Sequence, residues 1–169
     1  MTASQSQGET IRGEIVDLIP ALRAFARSFC RNASDADDLV QETLLKAIAN
    51  IEKFEPGTRL KSWLFTIMRN TFYTRIVVAK REAPGSDACV SDDSAISATQ
   101  EWTVRGRELE RALARLPMHY REVLLLVAVM GESYETAAQV CDCAVGTVKS
   151  RLNRARRQIS LEVDGDLTA

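Results

Sequence analysis

Residues 83–100, APGSDACVSDDSAISATQ, are small, polar and acidic, with no Lys or Arg. Such a stretch buries too little apolar surface to offset the entropy of ordering it, so it is expected to be a linker. It cuts the chain into two pieces. In both, apolar residues return every three or four positions, the period of an amphipathic helix. The expectation is an all-α protein of two small helical domains, 10–81 and 104–162, joined by a flexible acidic linker over 82–103.

In the first piece, Ile11, Ile15, Leu18, Ile19, Leu22, Phe25, Ala26 and Phe29 form one helical surface. Pro20 lacks an N–H and its ring clashes with the preceding turn, so one helix should end near Ile19 and another run from Pro20 to about Arg31. Ser34 followed by Asp35 and Asp37 resembles a capped helix start, with acids complementing the helix dipole. That helix should reach about Ile51, burying Leu39, Val40, Thr43, Leu44, Ala47 and Ile48 and exposing Asp35, Asp38, Gln41, Glu42 and Lys46. Pro56-Gly57 then makes a turn.

From Leu60 the helical period resumes to about Lys80. Arg59, Lys61, Arg69, Arg75, Lys80 and Arg81 lie here without an intervening acid, interleaved with Trp63, Phe65, Phe72 and Tyr73. Mixed basic and aromatic residues suit single-stranded DNA, whose phosphates need positive charge and whose unstacked bases need flat surfaces. Trp63 and Phe72 fit the core; Phe65, Asn70, Tyr73 and the preceding loop are the exposed candidates.

In the second piece, Leu109, Leu113 and Leu116 share a helix stopped by Pro117, and a second helix should run from about Pro117 to Met130 with Gly131 at its cap. Ser133 should cap a short helix, Tyr134–Cys141, and Asp142-Cys143-Ala144 should turn tightly into Val145. At 100° per residue, Val145, Val148, Leu152, Ala155 and Ile159 then gather on one side, with Thr147, Ser150, Asn153, Arg154 and Arg157 opposite. Val145–Ile159 carries Lys149, Arg151, Arg154, Arg156 and Arg157 and no acid. Its helical length of about 22 Å fits a DNA major groove. A short helix, a tight turn and a basic second helix make the helix-turn-helix layout.

The whole-chain charge of −1 means that any DNA-binding surface is local. No apolar run approaches the ~18 residues that cross a bilayer, so no membrane insertion is expected. The opening MTASQSQGET has no basic segment leading an apolar one, which favours a cytoplasmic protein. Cys30, Cys89, Cys141 and Cys143 lack the spacing of a disulfide framework, and His119 has no second ligand nearby, so neither metal nor cofactor is expected. A DNA-acting enzyme such as a recombinase needs an activated nucleophile or clustered carboxylates, and the first piece supplies neither. A stand-alone helix-turn-helix regulator, binding a palindrome as a dimer, remains the alternative.

The run SYETAAQVCDCAVGTVKSRLNRARR, preceded by LPMHYREVLLLVAVMGE, closely resembles region 4 of the extracytoplasmic-function (ECF) sigma factors, small bacterial transcription initiation factors. DADDLVQETLLKA looks like their core-polymerase-binding region, and FEPGTRLKSWLFTIMRN looks like their promoter-melting region with its W-L-x-x-I-x-x-N pattern. The resemblance covers about residues 11 to 160. NTFYTRIVVAKRE and CDCAVGTVKSR look most like the alphaproteobacterial general stress response subgroup. Many relatives carry an Asp shortly after the Asn of that pattern, where this chain has Thr71-Phe72-Tyr73-Thr74.

The resemblance implies a protein without catalytic residues that binds core RNA polymerase and directs it to promoter DNA with elements near −35 and −10. It implies that Thr147, Lys149, Ser150, Arg151, Asn153, Arg154 and Arg157 serve the −35 element. Arg154 is the expected base contact, and Arg151 and Arg157 the expected phosphate contacts. For the −10 element the expected residues are Phe54, Thr58, Arg59, Lys61, Trp63, Asn70 and Tyr73, around a base flipped from the strand. Asp38, Gln41 and Glu42 would dock on the polymerase. A small anti-sigma protein, itself bound by a phosphorylated response regulator with a sigma-like domain, completes the implied partners.

Overall fold

The computed structural model describes residues 3–30, 32–55, 57–82 and 104–165, and among them there is helix and turn but no strand. Helices α1 (Ala3–Asp17) and α2 (Ile19–Ala26) break at Leu18, leaving Pro20 in the first turn of α2 where its missing N–H has no ladder partner to lose. Helix α2 stops five residues before the expected Arg31. The chain tightens there to bonds of shorter reach, Ser28 N to Phe25 O and Phe29 N to Ala26 O, and the Ser28 hydroxyl also donates to Phe25 O at 2.6 Å.

Helix α3 (Ala33–Ala49) is capped by Asn32 rather than Ser34. The Asn32 Oδ1 accepts from Asp35 N at 2.8 Å while its Nδ2 donates to the Asp35 carboxylate at 3.0 Å, a reciprocal box two residues earlier than expected. The helix ends at Asn50, and a 3₁₀ turn, Ile51–Lys53, leads into the loop. Leu39, Val40, Thr43 and Ala47 are buried as expected, but Leu44 is half-buried and Ile48 is 46% exposed. Gly57, at φ +96°, makes the turn before helix α4 (Leu60–Glu82). The expected linker lies outside the described residues except for Glu82, which ends α4.

Helices α2, α3 and α4 close the first core around aromatic rings: Phe25 meets Phe29 at 4.8 Å and Phe65 at 4.6 Å, and Phe29 meets Phe72 at 4.9 Å. Phe65 is fully buried, so it is a core residue and not the exposed ring expected. Trp63 is the half-exposed one, tilted against Phe54 at 5.3 Å. Helix phase explains the exchange: Leu64, Phe65 and Met68 are the α4 positions aimed at the core, and Trp63 falls beside that stripe.

The second module is α5 (Val104–Arg115), α6 (Met118–Leu124) continuing as a π turn through Val129, α7 (Tyr134–Cys141) and α8 (Val145–Gly165). Leu116, Val123, Leu126, Val140 and Val148 fill its core, with Leu152 and Ala155 from α8. Arg121 is buried with them. Its guanidinium donates to Ala114 O and Leu116 O, carbonyls at the end of α5 that have no helical donor, and to Ser28 O of the first module at 3.1 Å.

Candidate nucleic-acid interface

Local chemistry builds the helix-turn-helix. Ser133 Oγ accepts from Thr136 N at 3.1 Å to start α7, and Asp142 takes the left-handed conformation, φ 49°, that reverses the chain after it. Cys143 N then donates back to Ala138 O, and Thr147 N to Ala144 O begins α8. Cys141 packs in the core; burial, reinforced by Glu122, pushes its thiol up to about 12. Val148, Leu152 and Ala155 anchor α8, leaving Lys149, Ser150, Asn153, Arg154, Arg156 and Arg157 exposed. Arg154 rests against the Tyr120 hydroxyl at 3.3 Å. Thr147 is half-buried, and Arg151 turns inward with Nη1 3.9 Å from Cys143 Sγ.

The −10 candidates fall into two groups. Phe54 is buried under Trp63, while Trp63 and Asn70 line a cavity of about 450 Å³ between the end of α3 and the middle of α4. Lys46, Asn50, Lys53, Ile67, Thr71 and Thr74 complete its walls. None of these six was expected from the sequence, because the cavity exists only where two elements meet. Asn70 is exposed, and its backbone carbonyl accepts from Thr74 Oγ1. Thr58 Oγ1 donates to Glu55 O at 2.7 Å and stiffens the preceding loop.

Arg59, Lys61 and Tyr73 are instead held by the second module. Lys61 Nζ is 2.9 Å from a Glu132 carboxylate oxygen and donates to Met130 O at 2.8 Å, while Arg59 reaches the other Glu132 oxygen at 3.5 Å. The π turn creates this acceptor set. Met130 N bonds to Leu125 O and Glu132 N to Leu126 O, so the helix ends with carbonyl and carboxylate side by side, where a cation suits the helix dipole. Deeper in, Tyr73 donates to Glu122 Oε1 at 2.8 Å, and Arg69 stands 3.5 Å from Oε2 and 4.7 Å from the Tyr73 ring centroid. Glu122 is fully buried. Burial raises its carboxyl above the usual range, opposed by Arg69 and the Tyr73 hydrogen bond, and burial likewise raises the Tyr73 hydroxyl.

The third set lies on α3. Asp38 and Gln41 are exposed, but Glu42 is tied to Arg75 at 2.7 Å and Lys46 at 2.7 Å. The Lys46 hydrogen bond, with help from Arg75, holds the Glu42 carboxyl below the ordinary carboxylate range against its partial burial. Leu45, 69% exposed, and Ile48 continue the stripe of Asp38 and Gln41 along the helix, so the face is mixed acidic and apolar. The position of Leu45 was the available signal, since at 100° per residue it falls on the side of α3 opposite Leu39, Val40, Thr43 and Ala47.

Residues 15–82 match Sigma-70 region 2 and residues 106–159 match Sigma-70 region 4. The chain is 47% identical over 159 residues to the ECF RNA polymerase sigma factor EcfG of Rhodopseudomonas palustris, covering 93% of this chain and 88% of that one. This chain belongs to the ECF sigma factors. That family is not an enzyme class. It is also 30% identical to the ECF sigma factor SigC of Mycobacterium tuberculosis, over 98% of both chains. Among solved structures, the sigma factor RpoE of Bartonella quintana, in complex with the anti-sigma factor NepR, superposes with a TM-score of 0.82 at 40% identity, covering 92% of this sigma factor and 98% of that chain. Among the described residues no helix is long and apolar enough to cross a membrane, and no three His, Cys, Asp or Glu side chains cluster as metal ligands.

Proposed function

We propose that this sigma factor reads its promoter at two points and is silenced when its two modules are clasped. Residues 104–162 would carry α8 into the −35 major groove, and residues 10–81 would take the −10 strand along the Phe54–Tyr73 surface. The observation that carries the reading is the exposed face of α8, with Lys149, Arg154, Arg156 and Arg157 outward and its apolar face buried. Core RNA polymerase docks on the Asp38–Gln41 stripe, extended by Leu45 and Ile48. The likeness to EcfG and to a sigma factor solved with NepR supports a cytoplasmic role in a general stress response, under a small anti-sigma protein. That protein would in turn be captured by a phosphorylated response regulator with a sigma-like domain.

Reconstitution is the direct test. The purified chain with core polymerase should initiate at promoters with paired −35 and −10 elements and bind an isolated −35 duplex weakly as a monomer. Tight dimeric binding to a palindrome, without stimulation of core enzyme, would establish the stand-alone regulator instead.

Arg154→Ala is expected to lower discrimination at one −35 position by ~1–3 kcal/mol, whereas Arg157→Ala weakens all sequences alike and flattens the salt dependence by about one ion. Equal losses on matched and mismatched duplexes for both variants would reject this division of roles. Asp38→Arg should weaken association with core polymerase at least tenfold in a competition assay, an effect of order 1.4 kcal/mol for a reversed contact charge; undiminished affinity would remove α3 as the docking face.

A further inference from the structure

The cavity beside Asn70 is lined on its α3 side by an ordered row of hydrogen-bond donors. Asn50 lies between Lys46 and Lys53, and both ends of its amide are used within the protein: Nδ2 donates to Lys46 O at 2.8 Å, and Oδ1 accepts from Lys53 Nζ at 2.7 Å. Asn50 therefore holds the Lys53 ammonium in place, and what its amide keeps, one lone pair and one hydrogen, serves either class of base. Lys46 Nζ is fixed by Glu42 at 2.7 Å and Thr71 Oγ1 at 3.2 Å. Each ammonium carries three hydrogens, so one remains on Lys46 and two on Lys53. No Asp or Glu lines the cavity, and Trp63 and Ile67 supply its apolar walls.

We propose that this pocket selects a keto base, guanine or thymine, over adenine and cytosine at the −10 position it captures, with Lys53 as the specificity residue and Asn50 as its positioning residue. The inference rests on the reading of the cavity as the seat of an unstacked base. A carbonyl at guanine C6 or thymine C4 offers lone pairs to the remaining ammonium hydrogens. Adenine and cytosine place an amino group at the same edge, setting donor against donor and displacing water from the ammonium without a bond to replace it. Asn70, across the cavity, has both donor and acceptor and tolerates either class. The preference therefore comes from the α3 side.

The test uses the full chain bound to core polymerase and a fluorescent forked promoter DNA whose −10 segment is single-stranded on one side. Each −10 position carries in turn G, T, A, C or an abasic site. At one position, G and T are expected to bind about tenfold tighter than A and C, with the abasic site weakest. Lys53→Met should reduce that ratio to near one while leaving affinity for the abasic DNA unchanged, and Lys53→Arg should keep it. An unaltered thermal midpoint for the exposed Lys53 variants confirms the fold. A position that prefers A or C, or a Lys53→Met loss equal for all bases and the abasic site, overturns the keto assignment and makes Lys53 a phosphate contact. If every position binds abasic DNA as tightly as any base, the reading of the cavity as a base seat itself fails, and the proposal with it.

Discussion

Replacing Glu132 by Lys is expected to part the two modules. The Glu132 side chain is only 4% exposed and faces Lys61 at 2.9 Å and Arg59 at 3.5 Å. Its reversal would crowd three cations where one carboxylate neutralised two. The new ammonium would be an uncompensated charge at a buried position in the closed state, which costs ~3–5 kcal/mol. That exceeds a hundredfold in the closing equilibrium, since ~1.4 kcal/mol is tenfold. Energy transfer between dyes on α3 and α7 should fall. Affinity for single-stranded −10 DNA should rise, because Arg59 and Lys61 are released to the phosphates. The double variant, Glu132→Lys with Lys61→Glu, should restore closure without the gain in DNA affinity, since on the proposed reading Lys61 would itself contact DNA. An undisturbed dye distance in Glu132→Lys would mean that apolar contact alone holds the modules.

The same residues cannot serve Glu132 and DNA together, and this gives the clasp its meaning. Lys61, Arg59 and Tyr73 are held against Glu132 and Glu122 of the second module, whereas the outward cations of α8 and the cavity beside Asn70 stay open. On the proposed reading, closure would act on strand capture more than on duplex reading. A charged interface suits this purpose. Buried ion pairs add little net stability against water, so the clasp can be specific without being hard to open.

How much of this was legible in the sequence depended on distance along the chain. The helix-turn-helix was readable because its signals are local: Ser133 caps, Gly131 and Asp142 turn, and the apolar stripe of α8 repeats within one helix. The capping of α3 failed by two residues because Asn32 and Ser34 are both good caps, and only the partner Asp35 decides between them. The clasp was invisible for a different reason. It joins Arg59 to Glu132 and Tyr73 to Glu122, residues 73 and 49 positions apart, and nothing in a lone Glu marks it as a partner for a remote cation. The donor row of Lys46, Asn50 and Lys53 was missed likewise, since its function appears only when the end of α3 is laid against α4.

Phe65→Ala is expected to cost ~3–5 kcal/mol of folding stability, the range for deleting a buried aromatic ring. Phe65 is fully buried and its ring sits 4.6 Å from Phe25, so neighbours already packed on both sides cannot collapse into the space. Against a total of ~5–15 kcal/mol, that loss should bring a large fall in the urea midpoint with little change in slope. Trp63→Ala inverts the pattern. The indole is half-exposed on the cavity wall, so stability should change far less, while affinity for single-stranded −10 DNA should drop by the ~1–3 kcal/mol of a lost base stack. The two positions lie two residues apart and both carry an aromatic ring, differing mainly in the ~200° between them on α4. If Phe65→Ala kept its urea midpoint and lost DNA affinity, Phe65 would be the base platform that sequence reading alone had suggested, and the burial of its ring would have to be relieved when DNA binds.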